Sequence, residues 1–272
     1  MASKGIYAKA DGAWRNIKTL YVNVGGSWFK AYEGWNAATG GTVTDVDDYN
    51  GTGQKWRVHT FTDSGTFTVS NGSKPFRVLW LGGPGSGGYA AGGACWSGGG
   101  GAGGYVENDA VSIEPGSHSI TVGKRGSGAT QNYGTASTNT VAFGVTAYAG
   151  GNGASSWKGG TDGASGGGGN GSSSAVNYND LRYGRAIHGD QGSDGGPSNM
   201  QGAGGGGVTA RGTASTQPNQ IGYGGAGKNS DISGASVEYG RGGNARQSDG
   251  WAQNGNPSTN YSGIVIIAYQ IG

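Results

Sequence analysis

The sequence contains a single cysteine, Cys95, so no disulfide can form within the chain. It has only six prolines, which excludes a collagen-like triple helix, since that needs glycine at every third position together with abundant proline. Charged residues make up 12% and the net charge is +2, so there is no strong electrostatic footprint for nucleic acid or for a membrane surface. No apolar run approaches membrane length, the best being the stretch from Ile264 to Ala268. The first residues, Met-Ala-Ser-Lys-Gly, lack an apolar core, so no signal peptide is expected and the chain is expected to be made in a bacterial cytoplasm. No convincing amphipathic helix is present; the segment from Leu181 to Ile187 is short and contains glycine.

What is present is glycine, 64 of 272 residues. Each glycine in a folded element costs about 0.5–1 kcal/mol relative to alanine. Such a chain either stays loose or packs its backbones so closely that only glycine fits. The aromatic content, with 14 Tyr and 8 Trp, favours packing, because disordered chains are poor in aromatics. Packed glycine backbones must then satisfy their own N–H and C=O groups. A polyproline-II-like strand makes no internal hydrogen bonds, so those bonds must run laterally between neighbouring strands.

Residues 1–35 hold an internal repeat. Tyr7-Ala-Lys-Ala-Asp-Gly-Ala-Trp14 recurs as Tyr21-Val-Asn-Val-Gly-Gly-Ser-Trp28. Each copy reads as a hairpin around Asp11-Gly12 or Gly25-Gly26. Small hairpins bury little alone, so Tyr7, Trp14, Tyr21 and Trp28 are candidate assembly residues. Residues 36–55 are polar and read as a connection. Residues 56–272 read as a glycine-rich domain with framework strands at 56–81, 105–122 and 263–271. Phe76-Arg-Val-Leu-Trp-Leu81 is a buried strand, and Ile264 to Ile271 is the strongest strand signal. The predicted fold is mainly β with little or no helix: hairpin repeats, a small β base, and a lobe of packed polyglycine-II-like strands.

The order of several segments carries a resemblance. They are Gly40-Gly-Thr-Val-Thr-Asp45, His59-Thr-Phe-Thr with Ser64-Gly-Thr-Phe-Thr-Val69, Val78-Leu-Trp-Leu-Gly-Gly83, the run from Gly98 to Val106, and Pro115-Gly116 leading to Ile120-Thr-Val-Gly123. This order resembles the glycine-rich domain of phage tail proteins, especially minor tail proteins of siphophages infecting mycobacteria and relatives. The resemblance implies a virion tail protein, a homotrimer, attached to other tail proteins through its N-terminal segment. It also implies a polyglycine-II lattice whose distal loops contact a host envelope glycan or protein. The alternative is a purely structural tail component. Residues 172–194 are less glycine-rich than such domains often are, so an interrupted lattice is expected there.

No catalytic or cofactor constellation emerges. Gly83-Pro-Gly85-Ser-Gly-Gly88 matches G-x-G-x-x-G but is followed by no helix-forming sequence. Gly163-Ala-Ser165-Gly-Gly167 matches a nucleophile elbow that chance supplies in a Gly/Ser-rich chain. His59, His118 and His188 are isolated, so no zinc site is expected. Asp45, Asp47 and Asp48 lack the EF-hand spacing and read as a solvated turn. No enzyme activity, cofactor, metal, nucleic acid or membrane insertion is therefore expected.

The positive feature is aromatics set between glycines in loop-like sequence. Tyr and Trp give large rigid contact area at low entropic cost. The stretch from Ser172 to Arg185 joins Tyr178, Arg182, Tyr183 and Arg185, and the stretch from Gln247 to Asn256 carries Trp251. With Trp96 and Trp157 these are the candidate receptor-binding residues.

Overall fold

The computed structural model describes residues 7–10, 12–17, 19–33, 36–72, 74–90, 95–127, 135–155, 158–172, 183–197, 202–214, 220–246, 250–251 and 262–271. The chain is mainly β, and the one helical turn among the described residues is a 3-10 turn at Tyr49–Gly51.

The N-terminal repeat forms two separate hairpins. Strands β1 (Tyr7–Ala10) and β2 (Ala13–Asn16) make one, β3 (Thr19–Val24) and β4 (Ser27–Glu33) the other. The second turns at Gly25 and Gly26, with φ of 60° and 87°, the positive values a tight primed turn requires. The Gly26 N–H donates to Asn23 Oδ1 at 3.0 Å and fixes that turn.

The β base follows. Its strands are β5 (Ala37–Thr39), β6 (Thr42–Val46), β7 (Trp56–Phe61), β8 (Gly65–Asn71) and β9 (Phe76–Leu81). Short strands β10 (Tyr89–Ala90) and β11 (Cys95–Trp96) come next. Then come β12 (Tyr105–Val111), β13 (Gly116–Ile120), β14 (Thr140–Ala142) and β15 (Val145–Ala147). The remainder are β16 (Gly171–Ser172), β17 (Lys228–Ser230), β18 (Val237–Tyr239), β19 (Gly250–Trp251) and β20 (Ile264–Gln270). A five-stranded antiparallel sheet runs β12-β9-β20-β7-β6, and a three-stranded sheet runs β13-β8-β5. Residues 36–55, expected as a connection, thus supply a strand to each sheet. Gly40 and Gly41 make the crossing, with φ of +117° and +63°. A Cβ on Gly40 would lie 2.2 Å from the Thr66 carbonyl oxygen, which explains why a polar, glycine-containing stretch turns this corner.

Strand alternation sorts the core into two layers. Phe76, Val78 and Trp80 of β9 and Val265, Ile267 and Tyr269 of β20 pack with Phe67, Val69 and Ile120. Leu79, Leu81, Ile264, Ile266 and Ala268 face the other way, against Tyr49, Ile232 and Tyr239. Both faces of β9 and β20 are buried, which is why these strands read as continuous apolar runs. Each fully buried large side chain contributes about 1.5–3 kcal/mol. Trp80 satisfies its indole N–H on the Ala142 carbonyl at 3.1 Å.

The glycine-rich segments rise from this base. Gly82 donates to Gly104, beside the Leu81–Tyr105 pair of β9 and β12, and Gly104 donates to Tyr148. Three residues further out, Gly85 donates to Gly101, Gly101 to Gly151, and Gly151 to Ser165, at 2.8–2.9 Å. A third tier runs Gly88 to Gly98 to Ala154 to Gly168, each bond at 2.9 Å. Bonds recurring every third residue to the same neighbour are the signature of a three-residue-per-turn strand. Intervening residues reach other neighbours: Gly99 donates to Ala203 and Ala102 to Gly206. Segment 98–104 is bonded in this way to segments 82–88, 148–154, 165–169, 202–207 and 242–246. The lobe is a polyglycine-II-like lattice, with the N–H groups expected to be the cost of the glycines tied between neighbours.

Candidate functional site

The lattice has two ends. One adjoins the β base at Gly82, Gly104 and Tyr148. The other lies beyond the outermost tier at Gly88, Gly98, Ala154 and Gly168. At this distal end the short strands gather. Tyr89 pairs with Trp251, and Trp96 pairs with Gly171. Ser97 bridges to Arg246, and Ser155 to Lys158. Ser97 Oγ, Ser155 Oγ and Asn170 Oδ1 are buried here without a hydrogen-bond partner among the described residues, although Asn170 Nδ2 donates to the Ser155 carbonyl at 2.8 Å.

Of the residues singled out from the sequence, Trp96 is half-buried in this distal cluster, and the backbone of Trp251 joins it. Tyr178, Arg182 and Trp157 lie outside the described residues. Tyr183 and Arg185 belong to a descending segment, where Gly184 donates to Gly167 at 2.7 Å. The Arg211 guanidinium sits 4.4 Å from the Tyr183 ring centroid, a cation–π contact that covers part of that ring. Arg185 is exposed, and its backbone N–H donates to Asp162 Oδ1 at 2.7 Å. Of residues 172–194, where an interrupted lattice is expected, 173–182 lie outside the described residues; a turn closes at His188–Gln191, and beyond it the lattice resumes, Gly166 donating to Ser193 and Gly169 to Gly196, a three-residue step.

Among the assembly candidates, Tyr21 and Trp28 are 51% and 70% exposed, more than aromatic rings usually are. Trp14 pairs with Lys9 and Tyr7 with Asn16 across the first hairpin.

The motifs with catalytic or metal connotations take structural places. Gly83 to Gly88 is a lattice strand, and a Cβ on Gly85 would lie 1.9 Å from the Gly151 oxygen. Ser165 is fully buried and donates to the Gly207 carbonyl at 3.2 Å. Asp45, read as part of a solvated turn, instead forms a cross-strand pair with Arg57, with bonds of 2.6 and 2.8 Å. The Arg57 hydrogen bond holds the Asp45 carboxyl below its ordinary range. Asp48 Oδ1 accepts from the Gly53 N–H at 2.6 Å, and Asp47 pairs with Lys55 at 2.8 Å. Among the described residues no group of three His, Cys, Asp or Glu side chains is placed to hold a metal ion.

Two polar constellations were not foreseen. The first surrounds Arg77, whose guanidinium donates to Asp109 at 2.7 Å, Asp231 at 2.8 Å, Tyr49 Oη at 2.8 Å and Glu107 at 3.4 Å. Burial disfavours the Arg77 charge, but its hydrogen bonds to Asp231 and Asp109 outweigh that and raise its pKa. Burial pushes the Tyr49 phenol up to about 12. Glu107 also accepts from Ser230 at 2.7 Å and from the Tyr105 hydroxyl. The signal was available, since Arg77 is the lone charge inside an apolar strand. The second is His59, fully buried, with Nδ1 2.7 Å from the Gly40 carbonyl and Nε2 3.2 Å from the Tyr269 hydroxyl. A carbonyl only accepts, so Nδ1 carries the hydrogen and Nε2 accepts. Burial lowers the His59 pKa. Arg77, Glu107, Asp109 and Asp231 line an open cavity of about 260 Å³ with Asn229, Ser230 and Ser236, whereas His59 is sealed in the core.

No curated protein sequence matches the chain. Residues 60–269, which run from the β7 strand through the lattice to β20, match the glycine-rich domain family. The lattice just described is what that composition builds here, and the chain belongs to the glycine-rich domain family.

Proposed function

We propose that this protein is a non-enzymatic component of a bacteriophage tail tip or fibre, held in the tail through its N-terminal hairpins and touching the host envelope with the distal end of its lattice. The observation that carries the reading is the polarity of the lobe. Gly82, Gly104 and Tyr148 tie one end to a rigid β base, while the short strands bearing Tyr89, Trp96 and Trp251 gather beyond the opposite end. A rigid scaffold with connections clustered at one end is a common way to build a recognition surface. Aromatic rings on such a surface give contact area at little entropic cost. The order of segments that resembles phage tail proteins supports the same reading, and trimerisation is proposed with it on that basis. The lattice contributes stiffness and a fixed spacing between base and tip.

A structural tail component without receptor contact is the second reading. It is favoured by the Arg211–Tyr183 contact and by the partial burial of Trp96, which show rings engaged in packing.

Binding of the purified protein to host cells and isolated envelope separates the two. Wild type is compared with Trp96→Ala, Trp251→Ala and the double variant Tyr178→Ala/Tyr183→Ala, each checked for an intact fold. Saturable binding that a folded distal variant loses supports receptor contact. Absence of binding by the folded wild type supports the structural component.

A further inference from the structure

The cavity beside Arg77 is built where the β base meets the lobe. Arg77 comes from β9 and Asp109 from β12, while Asn229 comes from β17 and Asp231 from the turn that follows it. Pockets for drug-sized ligands usually hold about 300–1,000 Å³ and are mostly apolar. This one holds about 260 Å³, and every side chain that lines it is polar. An apolar or aromatic ligand gains nothing there, and the volume suits one small ring. Arg77 is engaged in orienting its neighbours, since it donates to Oδ1 of both Asp109 and Asp231. Among the described residues the Oδ2 atoms of Asp109 and Asp231, the Asn229 amide and the Ser236 hydroxyl have no protein partner, and all converge on the cavity.

The inventory of groups selects the ligand. A carboxylate only accepts hydrogen bonds, a guanidinium only donates, and an amide or hydroxyl does both. An anion would face Glu107, Asp109 and Asp231. A cation would face Arg77 and also Lys228, whose ammonium lies 4.9 Å from the centroid of the Tyr105 ring that bonds Glu107. These two positive charges largely offset the three negative ones. A ligand whose groups donate and accept at once, and carry no charge, meets no like charge in the cavity. We propose that the cavity binds one neutral polyhydroxylated ring, a hexose unit, whose hydroxyls donate to Oδ2 of Asp109 and Asp231 while the Asn229 amide and Ser236 hydroxyl complete the set. Hydrogen bonds to an ionised acceptor are about twice as strong as neutral ones. Arg77 holds both carboxylates in place before the ligand arrives, which lowers the cost of ordering them. The cavity lies at the base of the lobe, and the proposal is independent of what the distal end touches.

The test titrates the full chain with glucose, galactose and mannose and follows the amide NMR signals of residues 229–231. At least one hexose should shift them saturably, and added salt should leave that binding unchanged because the ligand is neutral. The double variant Asn229→Ala/Ser236→Ala should weaken it about tenfold, the loss of two hydrogen bonds. Neither side chain has a protein partner among the described residues, and backbone exchange in the lattice checks that the variant's fold is intact. The methyl glycoside of the hexose that binds names the source: equal binding points to the end unit of a glycan, and lost binding to a free sugar. No saturable shift from any of the three hexoses, or hexose binding unchanged in the double variant, overturns the proposal. So does binding of glucosamine and methylammonium without the neutral hexoses, which would make this a cation site, or of glucuronate alone, which would make it an anion site. Trp96→Ala and Trp251→Ala should leave the hexose shifts unchanged, so failure here and failure of receptor contact at the distal end are read separately.

Discussion

Gly85 faces the carbonyl of Gly151 so closely that a Cβ on Gly85 would lie 1.9 Å from that oxygen. The same pattern recurs one tier out, where a Cβ on Gly88 would lie 1.8 Å from the Ala154 oxygen. Backbone is what blocks the side chain in both cases, and backbone cannot swing aside as a side chain can. Gly85→Ala should therefore destabilise the protein by about 1–3 kcal/mol or more, the range for overpacking a dense interior. Gly189 has nothing within 4 Å of an added Cβ and no left-handed φ. Gly189→Ala should change stability by no more than about 0.5 kcal/mol. Urea denaturation of the two variants checks the contrast.

His59 makes folding pH-dependent. Its folded pKa is lowered by burial, while in the unfolded chain it lies near about 6.5. On acidification the unfolded chain takes the proton first, so stability is full above about pH 6.5 and is lost as pH falls below it toward the lowered folded pKa. Arg57 on β7 opposes that proton and Asp45 on β6 favours it, while the hydroxyl of Tyr269 on β20 faces Nε2. Thermal unfolding followed across this window should show the decline, and His59→Phe should flatten it. An unchanged slope in the variant would assign the dependence to other groups.

Arg77 gathers Glu107 and Asp109 of β12 and Asp231 of the lobe around one mostly buried guanidinium. Removing it leaves three carboxylates facing one another. Arg77→Ala should cost about 1–3 kcal/mol, since Glu107 is mostly buried but Asp109 and Asp231 are 70% and 51% exposed and are screened by solvent. Arg77→Lys should recover part of that, because the charge remains while the forked donor geometry is lost. Chemical denaturation of both variants measures the two terms.

The Asp45–Arg57 pair gives the opposite case. Its side chains are 34% and 36% exposed, so solvent screens the attraction. Asp45→Asn should cost less than about 1 kcal/mol despite the 2.6 Å bond, and denaturation at low and high salt should differ little beyond that.

The sequence disclosed the parts of this fold whose cause is local. Asp11-Gly12 and Gly25-Gly26 announced hairpins because primed turns need positive φ. Phe76–Leu81 and Ile264–Gln270 announced buried strands because both their faces are covered. The glycine lattice was legible as a need, since unpaired backbone groups must bond somewhere, but not as a connectivity. Nothing in the composition said that Gly98 bonds to Ala154 while Gly99 bonds to Ala203. The role of Ala37–Val46 was hidden for a similar reason: its strands owe their place to β7 and β8, not to their own weak pattern. At the distal end, aromatic composition identified Trp96 and Trp251 as candidates. That Tyr89 shares a short strand pair with Trp251 depends on chain segments 162 residues apart and had no local signal.

The glycine-rich region is a hydrogen-bonded lattice rather than a set of loose linkers. Native-state hydrogen exchange on glycine-labelled protein tests it most directly. Gly98, Gly101, Gly151 and Gly205 donate to neighbouring segments at 2.8–2.9 Å, and their amides should exchange orders of magnitude more slowly than an unstructured chain, on the scale of the β20 amides. Amides of these glycines that exchange at the rate of a flexible linker, while β20 stays protected, would contradict the account.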